Sequence, residues 1–430
     1  MHLQLTCQFE IKEIMKGVTM KLLCRSVLTS ILLSVAMTAT SFAQQSDRQS
    51  ASQPAGQPTP SLPLARLSEA QTIAALKEEV AKRAAADQFS GVVLIAKDGK
   101  PLFQQAYGYA DSERKIPNAL DTKFIFGSMG KMFTSVAVAQ LAQAGKLSYD
   151  DPLSKYLPDY PNPEVAKVTI HQLLTHTGGT GDFFGPEFFA HHAELKELKD
   201  YVALYGNREP RFPPGSKWEY SNYGMILAGR IVEVVSGQSY NDYLQEHIFK
   251  PAKMKSTGNP LEGQQVKGLA INYTRVEPGQ PPPPMGVPLT GPLHASGEPL
   301  SATPAGGGYS TVGDFLRFAT ALTSNKLLSA QYTELVTTGK VDAPPPRGSM
   351  PAGRPMPGAR MGSMKYAYGF MDMQSPDGLR HVGHSGASPG QNSVLAIYAV
   401  SGYVVVVMAN RDGPAADELA RFLDQRVPLK

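Results

Sequence analysis

The chain has 430 residues, 42% of them apolar, and carries 41 Lys plus Arg against 37 Asp plus Glu for a formal charge of +4. An apolar share close to the roughly 45–50% of globular domains excludes a disordered chain and leaves length for a large core. Charged residues are only 18%, with no Lys/Arg run to track phosphates, so nucleic acid is not an expected partner.

The N-terminus reads as a targeting segment. Met20-Lys21-Leu22-Leu23-Cys24-Arg25 is basic, Val27–Met37 is mostly apolar, and Ser41-Phe42-Ala43 offers small residues for cleavage. The apolar stretch covers 11 residues. About 20 are needed to span a bilayer, so the pattern predicts a secretory signal peptide and no stable membrane anchor. Residues 1–43 are then removed, with Met20 as the true start and 1–19 as an over-extension. The product is expected to be exported, periplasmic or secreted. Both cysteines, Cys7 and Cys24, fall in the removed part, so the mature chain needs no disulfide.

Residues 44–66, rich in Gln, Ser and Pro, read as a flexible leader, followed by one domain over 67–430. Ser68-Glu69-Ala70-Gln71 makes a capping box, with Ile73, Leu76, Val80 and Ala84 on one helical face. Gly91–Ala96 and Pro101–Tyr109 read as a hairpin around Asp98-Gly99. Ser128–Ala144 is a helix apolar nearly all round, and so a buried one, stopped by Gly145. Further helices are expected at 221–235, 240–249, 311–322 and 415–425, and a hairpin at 393–409. Strands thus gather at both chain ends and helices in the middle. The fold class is α+β: an antiparallel sheet built from both ends, flanked by helices, with a mostly helical central subdomain. Two Pro-rich stretches, 278–299 and 342–362, interrupt the pattern as insertions or lids. The second carries Arg347, Arg354 and Arg360, which as a lid would favour acidic substrates.

Three motifs carry chemistry. In Ser128-Met129-Gly130-Lys131, residues three apart share a helix face. Burial would lower the Lys131 pKa, and a neutral amine can take the proton of the Ser128 hydroxyl. The competing reading is a surface lysine with its stem along apolar neighbours. The same spacing recurs at Ser112–Lys115, in a hydrophilic turn with no apolar helix behind it. Tyr220-Ser221-Asn222 could point a phenol and a carboxamide into a cleft, Asn222 binding substrate or holding Lys131. It could equally be a plain helix start capped by Ser221. His384-Ser385-Gly386 precedes the C-terminal hairpin, where Gly386 would permit close approach and His384 could donate a bond or carry charge. Each motif alone is weak. Their order and settings together are not. The remaining histidines are poor metal ligands: His191 and His192 are adjacent, and His176 belongs to a Leu-Leu-Thr-His-Thr-Gly turn.

With these motifs, and with Leu173–Gly179, Phe212–Asn222, Gly307–Asp314 and Gly383–Gly390, the sequence resembles the serine beta-lactamase and penicillin-binding-protein superfamily, in its class C-related branch of serine hydrolases. The resemblance implies Ser128 as acylated nucleophile, Lys131 as base with Tyr220 sharing that work, and Asn222 binding substrate. It implies the backbone N–H groups of Ser128 and Ala387 as an oxyanion hole, and no cofactor or metal. His384 and Ser385 stand where such proteins carry Lys-Thr of Lys-Thr-Gly, a position that helps hold a substrate carboxylate. The change favours esterase or amidase action over D-peptidase action, and either over beta-lactam hydrolysis. It also predicts activity that changes as His384 titrates near pH 6–7. The expected partner is a small-molecule or peptide ester or amide, peptidoglycan peptides included. The alternative is an inactive penicillin-binding-like module that holds cell-wall peptide or a protein partner.

Overall fold

The computed structural model describes residues 66–277, 289, 291–297, 300–344 and 362–429. The predicted signal segment, the leader before Arg66 and the greater part of both Pro-rich stretches lie outside them. Arg66, assigned to the leader, is anchored: its guanidinium bonds Asp377 (2.6 and 2.7 Å) and the Asp424 and Val427 carbonyls.

Helix α1 (Glu69–Ala85) opens with both bonds of the capping box, Gln71 N–H to Ser68 Oγ and Ser68 N–H to Gln71 Oε1. Strands β1 (Gly91–Lys97) and β2 (Lys100–Tyr107) pair around Asp98-Gly99, both at positive φ, which suits the twist of a tight hairpin. Helices α2 (Gly130–Gln143), α3 (Asn222–Ser236) and α4 (Val312–Thr323) follow in the central part. The C-terminal part supplies β3 (Val341–Asp342), β4 (Ser363–Tyr366), β5 (Met371–Gln374), β6 (Arg380–Ser388), β7 (Gln391–Tyr398), β8 (Tyr403–Ala409) and α5 (Ala415–Asp424).

The eight strands form one antiparallel sheet in the order β2-β1-β8-β7-β6-β5-β4-β3. The N-terminal hairpin docks on the last strand, Val92 opposite Met408 and Leu94 opposite Val406. Side chains alternate along each strand. Val93, Ile95, Val405 and Val407 therefore face α1 and α5, packing with Leu76, Val80, Leu419 and Leu423. Val92, Leu94, Val406 and Met408 face the other way, with Phe133 and Val136 of α2 and Phe315 and Phe318 of α4. Burying each such side chain contributes about 1.5–3 kcal/mol, so both faces need a cover, as the two-sided apolar strands demand. Beyond the expected hairpins, β3, β4 and β5 extend the sheet from the 341–374 region.

Helix α2 is buried on all sides except at Gln140 and Gln143. Phe133 at its centre touches Phe126, Phe249, Phe315 and Phe318, with ring centroids 4.8–5.8 Å apart. Ring contacts of this kind fix the helix in place as well as burying area. Among the described residues no helix is long and apolar enough to cross a membrane.

Candidate active site

Ser128 lies just ahead of α2, in a tighter single turn, Gly127–Met129. Gly127 has φ +53°, a conformation that favours glycine, and it turns the chain so that Ser128 leads into the helix. One turn on, Lys131 is fully buried and its Nζ lies 3.2 Å from Ser128 Oγ. The same Nζ donates to Asn222 Oδ1 (2.7 Å) and to the Ala305 carbonyl (2.6 Å). Desolvation lowers its pKa from 10.5 to about 7, against the opposing pull of Asp182. A neutral amine has two hydrogens and one lone pair. Asn222 and Ala305 take the hydrogens, so the lone pair is left for Ser128. The surface-lysine reading does not hold.

Tyr220 and Asn222 arrive from the start of α3, where Ser221 caps the helix through Gly224 N–H. The Lys131 Nζ stands 4.7 Å from the Tyr220 ring centre. Burial raises the phenol pKa, and Ser128 beside it offsets this in part, so Tyr220 stays protonated at neutral pH. His176 supports this loop, buried, at φ +61°. Its carbonyl accepts Glu219 N–H (3.0 Å), its Nδ1 accepts Ser221 N–H (3.3 Å), and its ring packs on Tyr220 at 4.5 Å.

Strand β6 closes the site. Its partner β5 pairs only with Arg380–Gly383, so, among the described residues, 384–388 have no strand partner on that side. Gly386 is pressed on the Ser128 turn: a Cβ there would run into the Phe126 carbonyl oxygen and lie 2.9 Å from Ser128 N. In turn, a Cβ on Gly127 would lie 3.2 Å from Ala387 N. The Ser128 and Ala387 nitrogens thus lie at one turn–strand contact.

His384 differs from expectation. It is buried, its Nδ1 lies 2.5 Å from the Ser385 carbonyl and its Nε2 3.1 Å from Tyr366 Oη. The carbonyl can only accept, so Nδ1 carries the hydrogen and Nε2 accepts from Tyr366. Desolvation, with Lys131 nearby, lowers its pKa to about 3. His384 therefore does not titrate near pH 6–7, and neither ring nitrogen is left for a substrate. It supports the site from behind. Ser385 is half-buried on the opposite strand face, its carbonyl serving the imidazole.

Several participants escaped the sequence reading. The Ala305 carbonyl comes from the loop before Gly306-Gly307-Gly308, a run of glycines that marks close backbone approach. Tyr366 and Asp182 sit outside any motif, and Asp182 bonds Asn222 (2.8 Å). Among the described residues no group of three or more His, Cys, Asp or Glu converges to hold a metal ion.

A serine, a buried lysine one turn away and a tyrosine beside both, next to strand β6, make up the site of a serine hydrolase of the Ser-x-x-Lys class. The beta-lactamase family model matches residues 72–427, and the chain belongs to that family. It is 28% identical over 339 residues to penicillin-binding protein 4* of Bacillus subtilis, covering 76% of this chain and 69% of that protein. A penicillin binding protein from Bacillus halodurans superposes with a TM-score of 0.67 at 30% identity, covering 80% of this chain and 98% of that one. A D-stereospecific amidohydrolase from Streptomyces sp. does so with a TM-score of 0.64 at 25% identity, covering 81% and 97%.

Proposed function

We propose that the protein is an exported hydrolase that cleaves small amides, and esters of the same shape, through an acyl-Ser128 intermediate. The observation that carries this is the buried Lys131 amine 3.2 Å from Ser128 Oγ, its pKa brought down by desolvation to about 7, so that a large share of it is uncharged at neutral pH and can accept the Ser128 proton. Ser128 Oγ adds to the substrate carbonyl carbon while its proton passes to Lys131. The carbonyl oxygen takes up negative charge against the Ser128 and Ala387 N–H groups, where one donor is worth about 10²–10³ in kcat. Tyr220, neutral and close to both groups, relays a proton to the leaving nitrogen or oxygen as the C–N or C–O bond breaks. Water then enters by the reverse path, its proton going to the base and its oxygen to the acyl carbon, and Ser128 is regenerated.

The substrate class follows from charge. His384 is neutral, so the part of β6 beside Ser128, residues 384–388, offers no side-chain cation to a substrate carboxylate. This favours amides and esters without a carboxylate over D-alanyl peptides and beta-lactams, both of which carry one. The likeness to the Streptomyces D-stereospecific amidohydrolase supports the amide reading. Export rests on the basic, apolar and small-residue pattern of residues 20–43. A module that only binds would gain nothing from desolvating a lysine against a serine.

The test is the mature protein assayed side by side on a D-amino acid amide, a short-chain nitrophenyl ester, a D-alanyl peptide and a chromogenic cephalosporin. Amide and ester should turn over fastest, and Ser128→Ala should abolish turnover of both together with fluorophosphonate labelling. Intact-mass spectra of the wild type without an adduct would remove the proposal.

A further inference from the structure

Asp182 is exposed and belongs to no motif, yet both its carboxylate oxygens are engaged. Oδ2 accepts from Asn222 Nδ2 (2.8 Å) and Oδ1 from the Phe184 N–H (3.0 Å). Its own carbonyl is held by Arg208 Nη1 at 3.1 Å. An ionised carboxylate has only lone pairs to offer. The end of the Asn222 amide that meets it must be the NH2, and that leaves the oxygen for Lys131. Without this constraint the amide could turn over, since its two ends are nearly the same shape. Its NH2 would then face Lys131, and the amine could answer only by turning its lone pair to Asn222 and away from Ser128.

We propose that Asp182 is a positioning residue for acyl transfer: by fixing which end of the Asn222 amide faces Lys131, it keeps the lone pair of the amine on Ser128. The inference rests on the reading of Lys131 as the base. The carboxylate also acts through its charge. The groups around Lys131 are Tyr220, Asn222, His176, His384 and the Ala305 carbonyl. Burial keeps both imidazoles and the phenol neutral. Among the described residues, Asp182 is the one carboxylate whose charge is felt at Lys131, and it raises the amine's pKa. Removing it lowers that pKa further. Because Lys131 works in its neutral form, the acidic limb of the rate moves to lower pH.

The test follows the rate of Ser128 labelling by a fluorophosphonate from about pH 5 to pH 9, which requires no knowledge of the substrate. Wild type, Asp182→Asn, Asp182→Glu and Asp182→Ala are compared, with the thermal unfolding midpoint of each. In Asp182→Asn an NH2 must face either the Phe184 N–H or the Asn222 NH2. Labelling should slow about 10- to 100-fold, as small misplacements at a reacting group do, and its midpoint should fall below that of the wild type. Asp182→Glu keeps the charge but shifts the carboxylate, so it should slow labelling and retain the midpoint. Asp182→Ala, which adds no new donor, should show the same downward shift as Asp182→Asn. Wild-type rates and midpoint in Asp182→Asn and Asp182→Ala would overturn the proposal. So would slower labelling with an unmoved midpoint, the mark of a structural prop. Absence of labelling in the wild type would instead sink the reading of Lys131 as base, and this inference with it.

Discussion

Lys131 and His384 are both buried bases, and burial acts on them in the same direction with different outcomes. Desolvation penalises the charged form in each. For Lys131 it brings the pKa from 10.5 to about 7, into the working range; for His384 it brings it to about 3, out of that range. The pH profile of kcat/KM should therefore rise with pH through a single limb near 7, as Lys131 loses its proton, with no inflection from His384 near 6.5. His384→Gln should leave the limb in place, since one neutral group replaces another. A limb that vanishes or moves in that variant would return the titration to His384. The same shift has a stability consequence with a definite sign. The unfolded chain binds a proton at Lys131 up to about pH 10.4 that the folded chain has shed near pH 7, so this group lets stability rise with pH between those values.

At the scale of elements, the site is a contact between one helix start and one strand. The turn at Gly127–Met129 and strand β6 touch through Gly127 and Gly386, with the Gln391 side chain beside the contact and bonded to the Gly386 carbonyl. Gly386→Ala puts a methyl group against the Phe126 carbonyl oxygen and the Ser128 nitrogen. Both are backbone, so the turn must move as a whole. We expect kcat to drop about 100-fold and the thermal midpoint to fall, measured on the same preparation; unchanged kcat would mean that the turn does not set the oxyanion geometry. The helices and hairpins around this contact were legible because their patterns are strong. Helix α2 is apolar nearly all round, the capping box at Ser68–Gln71 is complete, and Val394–Tyr398 of β7 and the whole of β8 are apolar runs flanking a Ser-Gly turn. The short strands β3, β4 and β5 were not legible: strands of two to four residues give no period to read.

Across the whole molecule, the site draws on regions far apart in sequence: residues 128–131, 182, 220–222, 305 and 384–387. The sheet makes this possible. Docking β1 on β8 ties the two chain ends together, and the helices between them are then held over one sheet face with α2 at the centre. The motifs themselves could be read from sequence because each is local. What joins them could not. The burial of His384, the Ala305 carbonyl on Lys131 and the Asp182–Asn222 bond are made by tertiary packing, and no local pattern encodes them. Acylation depends on Lys131 acting as an uncharged base toward Ser128. The most direct measurement is the rate of fluorophosphonate labelling of Ser128 in Lys131→Met against wild type at pH 8, with folding checked by thermal unfolding. General-base assistance contributes typically 10²–10⁴-fold, and a loss in that range is the predicted result. Labelling of a folded Lys131→Met protein at the wild-type rate would contradict the account.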